Sequence, residues 1–201
     1  INNRKNKKFD AVGYDWRLLD NPKNIREGRR DSKFLENATQ TIQAYLEYRM
    51  DHSVIYTAVK KNFLKKNNIH FKEGIHEDVD FIFKVYFYSS NTPYFNKKIY
   101  NKRFHKSSIT NSVSGNHING YFRAWTEIRE TLTRHSGESK ELEDMLNSFD
   151  FGSYGVVASR VREVVRHLNQ FEEMIKYFEL IFRKIKVLGF SHKLINEVHT
   201  T

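Results

Sequence analysis

Residues 74–84, GIHEDVDFIFK, set Glu77, Asp78 and Asp80 directly before an aromatic run, in a chain whose formal net charge is +10. Crowded carboxylates of this kind serve three chemistries. They stabilise a helix start, where free N–H groups and the helix dipole favour negative charge. They ligate a hard divalent cation. They act as a general base that takes a proton from an attacking hydroxyl. Asp78 and Asp80 spell Asp-x-Asp, but positions i and i+2 of a helix point apart, which argues against one shared metal. Asp80 is then expected as a helix-surface or first-turn acid. At a helix N-terminus Asp78 is expected to be ionised, with a low pKa that makes it a modest base. His52, His76 and His117 lie in no comparable frame and are read as structural or substrate-side residues.

The helix behind these acids is predicted over 78–90. It is apolar on most sides through Val79, Phe81, Ile82, Phe83, Val85, Tyr86 and Phe87, so it must be buried in protein. Upstream, FDAVGYDW at 9–16 alternates as a strand, with Val12, Tyr14 and Trp16 on one face. A helical pattern from Lys33 to Met50 places Ala38, Ile42, Tyr45, Leu46 and Arg49 along one side. A second helix is predicted from an N-cap at Ser53 to about Lys66, with Ile55, Val59 and Phe63 at four-residue spacing. A short extended piece follows around Ile69–Phe71. Downstream, NTPYFNKKIYNKRF reads as extended and HKSSITNSVSGNHING as a polar loop of small residues. Helices are expected to dominate from Gly120, with breaks at RHSGES and DFGSYG.

The last long segment, about 156–187, repeats Val157, Val161, Val164, Leu168, Phe171, Ile175, Phe178, Phe182 and Ile185 at alternating spacings of 4 and 3. That heptad seam fits a long helix lying across a neighbouring core, favoured over self-association because three Phe suit a bundle better than a tight zipper. A homo-oligomer through 156–187 is the alternative use.

Composition narrows the classes. The 201 residues are 39% hydrophobic with 16 Phe and 11 Tyr, enough for a packed core. Without cysteine there are no disulfides, thiolate metal sites or cysteine nucleophiles. No apolar run reaches the ~20 residues that span a bilayer, and INNRKNKKFD has no signal-peptide apolar region behind its charges. The basic excess attracts polyanions: nucleic acid, anionic headgroups or phosphorylated small molecules. Nucleic acid is disfavoured because the basic residues are scattered instead of gathered on one helix face.

Residues 60–84 resemble a segment of the inverting glycosyltransferases of the GT-A fold, the family 2-like bacterial enzymes that build capsules, lipooligosaccharides and teichoic acids. The matching run is Lys60, Phe63–Leu64, Ile69, Phe71 and Glu77–Asp78, with Phe81 one place further along than the family has it. IYNKRFHKSSIT is similar to a second family element through Tyr100, Arg103, His105, Ser108 and Thr110. FDAVGYDW looks like the strand that follows the family's metal-binding motif. The three matches keep the family's order across residues 9 to about 112.

The resemblance implies a fold and a chemistry. The fold is α/β and helix-rich: an incomplete GT-A-like acceptor half with few strands over 1–115, then a helical extension over 116–201. Asp78 would be the catalytic base, with Glu77 orienting the acceptor or Asp78 itself. Arg103, His105, Ser107 and Ser108 would bind the donor diphosphate beneath a mobile lid, and His105 is also a candidate metal ligand. The cofactor would be Mg²⁺ or Mn²⁺, held mainly by residues outside this chain. The partners would be a nucleotide-sugar and a glycan or lipid-linked acceptor, in the cytoplasm or peripherally on the anionic inner membrane face. The family's nucleotide-binding first half and its separate Asp-x-Asp have no counterpart before FDAVGYDW, so the chain is expected to be an acceptor-side part that is inactive alone. The competing reading is a non-enzymatic basic helical module, for binding or scaffolding.

Overall fold

The computed structural model describes residues 9–19, 38–46, 50, 52–89, 92–103, 114–147, 149, 161–162, 164–165, 168 and 171–187. The chain divides into two units, Ile1–Glu73 with Glu77–His105, and Gly74–His76 with Lys106–Thr201.

In the first unit the alternating segment forms β1, Ala11–Leu18. It is the middle strand of a three-stranded mixed sheet, between β2 (Thr57–Val59) and β3 (Tyr94–Lys102). β2 is antiparallel, pairing Ala11 with Val59 and Gly13 with Thr57. β3 is parallel, pairing Tyr14 with Phe95 and Trp16 with Tyr100, and the register shifts on both sides of Asp15. A parallel neighbour needs a crossover connection, and here α1 (Ala38–Leu46), α2 (Lys61–Lys66) and α3 (Glu77–Tyr88) all lie between β1 and β3 in the chain. The strand's inward side differs from the expected one. Ala11, Gly13 and Asp15 are buried, as is Trp16, whereas Val12 and Tyr14 are half-buried.

The helix expected from Ser53 to Lys66 is not one element. Val54–Tyr56 is a 3-10 turn, Thr57–Val59 is β2, and only Lys61–Lys66 is α-helical. Val54, Ile55, Thr57 and Val59 are β-branched, and such side chains sit more easily on a pleated strand than in a helix. Pairing with β1 then decides the outcome. Phe63 and Ile69 still reach the core.

α3 occupies the predicted place. Val79, Phe81, Ile82, Phe83, Val85 and Tyr86 are all buried. Tyr45 of α1 packs beside Phe83 and Tyr86, at ring-centroid distances of 6.0 and 5.9 Å, and donates its hydroxyl to the Val79 carbonyl. Thr57 and Tyr86 hydroxyls meet at 3.2 Å, tying β2 to α3. His52 is structural, stacked on Tyr45 at 4.1 Å. Asp80 is the first-turn acid of the two expected alternatives and not a surface one: it is buried, facing Lys84 one turn on at 3.6 Å. Seven side chains of α3 are inside, and in its first turn Glu77 and Asp78 stay half-buried.

In the second unit α4 runs Gly115–His135, so the loop expected to reach Gly120 is helical from residue 115. Ser114 is its N-cap, accepting from the His117 backbone N–H, and the Ser114 hydroxyl lies 2.8 Å from His117 Nδ1. That satisfies an orphan donor and explains why so polar a segment turns helical. Ile118, Phe122, Trp125, Ile128 and Leu132 form its buried stripe. A 3-10 turn at Ser136–Glu138 ends it at the predicted break, and residues 140–147 form α5, with Trp125 and Phe149 rings 4.7 Å apart.

α6, Phe171–Val187, carries the second half of the heptad seam. The seam is not continuous helix, since Leu168 lies outside helical conformation. Nor does it line the core throughout. Ile181 is buried with Ile118, Phe122 and Val164, and Met174, Tyr177, Phe178 and Leu180 pack against them. Ile175 and Phe182 on the seam are 40% and 62% exposed. Among the described residues no helix is long and apolar enough to cross a membrane.

Candidate active site

Asp78 sits in the first turn of α3, beside Glu77. The segment entering the 3-10 turn at Val54 supplies its partners. The Ser53 hydroxyl donates to the Asp78 carboxylate, and so does the Val54 backbone N–H. Ser53 is extended at φ −95°, ψ 134°, and its side chain makes no cap hydrogen bond within its own turn. The Ser53 hydroxyl, expected to cap its own helix, instead donates to a carboxylate far along the chain.

The electrostatic outcome reverses the expectation of a low pKa. Burial of the half-buried carboxyl is the largest effect and raises it above the ordinary 3.8, and the neighbouring Glu77 charge raises it further. The Ser53 and Val54 hydrogen bonds oppose this without winning. Desolvation disfavours the charged form more than the helix start favours it. A carboxylate with a raised pKa is the stronger base. Replacing Ser53 with Ala removes a contact that holds the pKa down, so Asp78 is expected to titrate still higher. Carboxyl ¹³C NMR across an acid titration measures this, and an unmoved or lowered Asp78 in Ser53→Ala would contradict the assigned contact.

The other expected positions divide. Arg103 lies just beyond the end of β3 and is exposed. Two residues before β3 ends, Tyr100 packs edge-on against Tyr56 at 5.9 Å, and Tyr56 stacks on Trp16 at 5.5 Å. Lys102 Nζ lies over the Trp16 ring at 5.1 Å. The end of β3 is thus fixed by an aromatic row with a cation beside it. Phe71 and Phe81, both singled out from the sequence, stack at 4.1 Å with 9° between planes. His105, Ser107, Ser108 and Thr110, with the expected lid, lie outside the described residues. Among the described residues no three His, Asp or Glu side chains converge to hold a metal ion.

With this geometry in hand, comparison with known proteins adds no relative: no family model, curated protein or solved structure matches the chain.

Proposed function

We propose that this chain is the acceptor-side part of a nucleotide-sugar-dependent glycosyltransferase that extends a bacterial surface glycan with inversion, Asp78 acting as the base. The observation that carries the reading is the Asp78 carboxyl itself, desolvated at a helix start and aimed by two donors, Ser53 and Val54. Its free lone pairs accept the proton of an acceptor hydroxyl. The oxygen thus freed bonds to the anomeric carbon as the carbon–oxygen bond to the nucleoside diphosphate breaks on the opposite face. Glu77, next to Asp78, orients the acceptor. The divalent ion implied for such donors finds no ligand cluster among the described residues, and the proton transfer to Asp78 does not require one.

Arg103 at the end of β3 takes the diphosphate role, offering forked donors to phosphate. In the full-length protein, Arg103→Ala is expected to weaken nucleotide-sugar binding about tenfold to a hundredfold, the size of a lost charge-assisted hydrogen bond. Acceptor binding should change less. Calorimetry with UDP-, GDP- and CMP-sugars measures the first, and a variant that weakens only acceptor binding rejects the phosphate role.

The scaffold reading draws on a separate observation, the exposed Ile175 and Phe182 one heptad apart on α6. If α6 docks a second copy, the double variant Ile175→Asp/Phe182→Asp shifts the sedimentation coefficient from dimer to monomer. A wild-type protein that already sediments as a monomer up to about 100 µM, well above a micromolar dissociation constant, removes that reading.

A further inference from the structure

Asp15 lies on the middle strand of the sheet and is only 6% exposed, yet its Oδ1 has no hydrogen-bond partner among the described residues. A buried carboxyl oxygen without a donor costs stability and is rare enough in folded proteins to need a reason. The sheet is irregular at this same residue. From Tyr14 to Trp16 β1 advances one residue at a time, while its partners on β3 step from Phe95 to Lys98 and then to Tyr100. Bulges of this kind re-aim side chains and are over-represented beside active sites. Lys98, opposite Asp15 in register, leaves that oxygen unbonded. The 3-10 turn Val54–Tyr56 links this stretch of β1 to Asp78. Its first residue donates to the Asp78 carboxylate, its second accepts from the Tyr14 hydroxyl at 2.8 Å, and its third stacks on Trp16 at 5.5 Å. By strand alternation Asp15 shares a face with Gly13, whose register partner Thr57 meets Tyr86 of α3. Asp78 is in the first turn of that helix. Both residues belong to the first unit, where β1, the turn and α3 meet.

We propose that Asp15 binds the acceptor: its open oxygen accepts a hydrogen bond from a second hydroxyl of the acceptor sugar and so holds the attacking hydroxyl toward Asp78. The partner that Oδ1 lacks is a donor. A sugar hydroxyl supplies one, whereas a phosphate oxygen brings only more negative charge. The role rests on the reading of Asp78 as the base, and deepens it by naming a group on the sheet that orients the acceptor. It also accounts for an acid kept inside the middle strand with no partner of its own.

Ligand-observed NMR on the full-length protein reads this binding without turnover, with methyl glycosides of glucose, galactose and N-acetylglucosamine as probes. Asp15→Ala is expected to weaken the glycoside that the wild type prefers by about tenfold to a hundredfold, the size of a hydrogen bond to a charged group, and to leave UDP-, GDP- and CMP-sugar binding unchanged. One monodeoxy analogue of that glycoside should lose a similar factor against the wild type and nothing further against Asp15→Ala, since both changes delete the same bond. Asp15→Asn, close to the native shape, should show the loss to a smaller degree, which covers the case in which Asp15→Ala fails to fold. It should melt at or above the wild-type temperature, because no partner within the protein is lost. Glycoside binding that matches wild type in Asp15→Asn, a lower melting temperature there, a loss confined to nucleotide-sugars, or a wild type that binds none of the probes overturns the proposal. Unaltered turnover in Asp78→Asn removes the catalytic reading and leaves the glycoside result standing, so the two failures are distinguishable.

Discussion

Asp78→Asn in the full-length protein is expected to abolish the proposed sugar transfer, lowering turnover by about 10²–10⁴-fold, the usual contribution of a positioned general base, with nucleotide-sugar binding retained. The same variant does not lose stability. Asparagine keeps an oxygen to accept from the Ser53 hydroxyl and the Val54 N–H, so the cap geometry is retained. It also removes a charge that burial disfavours. The folded pKa of Asp78 lies above its unfolded value, so its favourable contribution is full below 3.8 and is lost as pH rises through the folded value. At neutral pH the ionised carboxylate therefore costs stability, and Asp78→Asn melts at or above the wild-type temperature there, the gap closing in acid. A group kept only to cap α3 behaves the other way: its replacement costs stability and leaves turnover intact. Activity bought with stability in this manner is the usual pattern of a functional site.

The second large effect is on the platform under the site. Phe83 is fully buried on α3, beside Tyr45 at 6.0 Å and Phe87 at 5.5 Å. Phe83→Ala removes an aromatic ring from a packed interior and leaves a cavity that helices on either side fill only in part. A loss of about 3–5 kcal/mol is expected, a large share of the ~5–15 kcal/mol that holds a domain. Urea unfolding with an unchanged slope measures it. A loss below about 1 kcal/mol would mean that α3 is not the centre of the first unit. Phe71→Ala supplies the contrast, since Phe71 is half exposed while stacking on buried Phe81, and its cost should be a fraction of that of Phe83→Ala.

What the sequence made legible follows from how local each cause is. α3 was readable because its pattern is extreme, acids in the first turn and apolar residues on most sides, and both consequences depend on nearby residues alone. β1 and the extended β3 were readable for the same reason. β2 was not, because Ile55, Val59 and Phe63 match a helical spacing as well as a turn, a short strand and a helix in succession. Only pairing with Ala11–Gly13 separates the two. The raised pKa of Asp78 was hidden because its burial is tertiary: the helix dipole is a property of α3, whereas the enclosing Ser53–Val54 segment arrives from elsewhere in the chain. The start of α4 was hidden behind small polar residues, and its one local sign was Ser114 three positions before His117. Gly120 carried no sign at all. A Cβ there would collide with the Ile75 carbonyl, which no local pattern can announce. On α6 the seam was correctly seen as apolar, but periodicity cannot tell which apolar line faces the core, and Ile181 took the place that Phe182 was expected to fill.

The pH dependence of turnover tests the central claim most directly. In the wild-type protein, kcat/KM for nucleotide-sugar transfer should rise with pH along a limb whose midpoint lies above the ordinary carboxylate value, because burial raises Asp78. Ser53→Ala should carry that midpoint higher, and the residual activity of Asp78→Asn should lose the limb. A limb that stays in place in both variants would contradict Asp78 as the base.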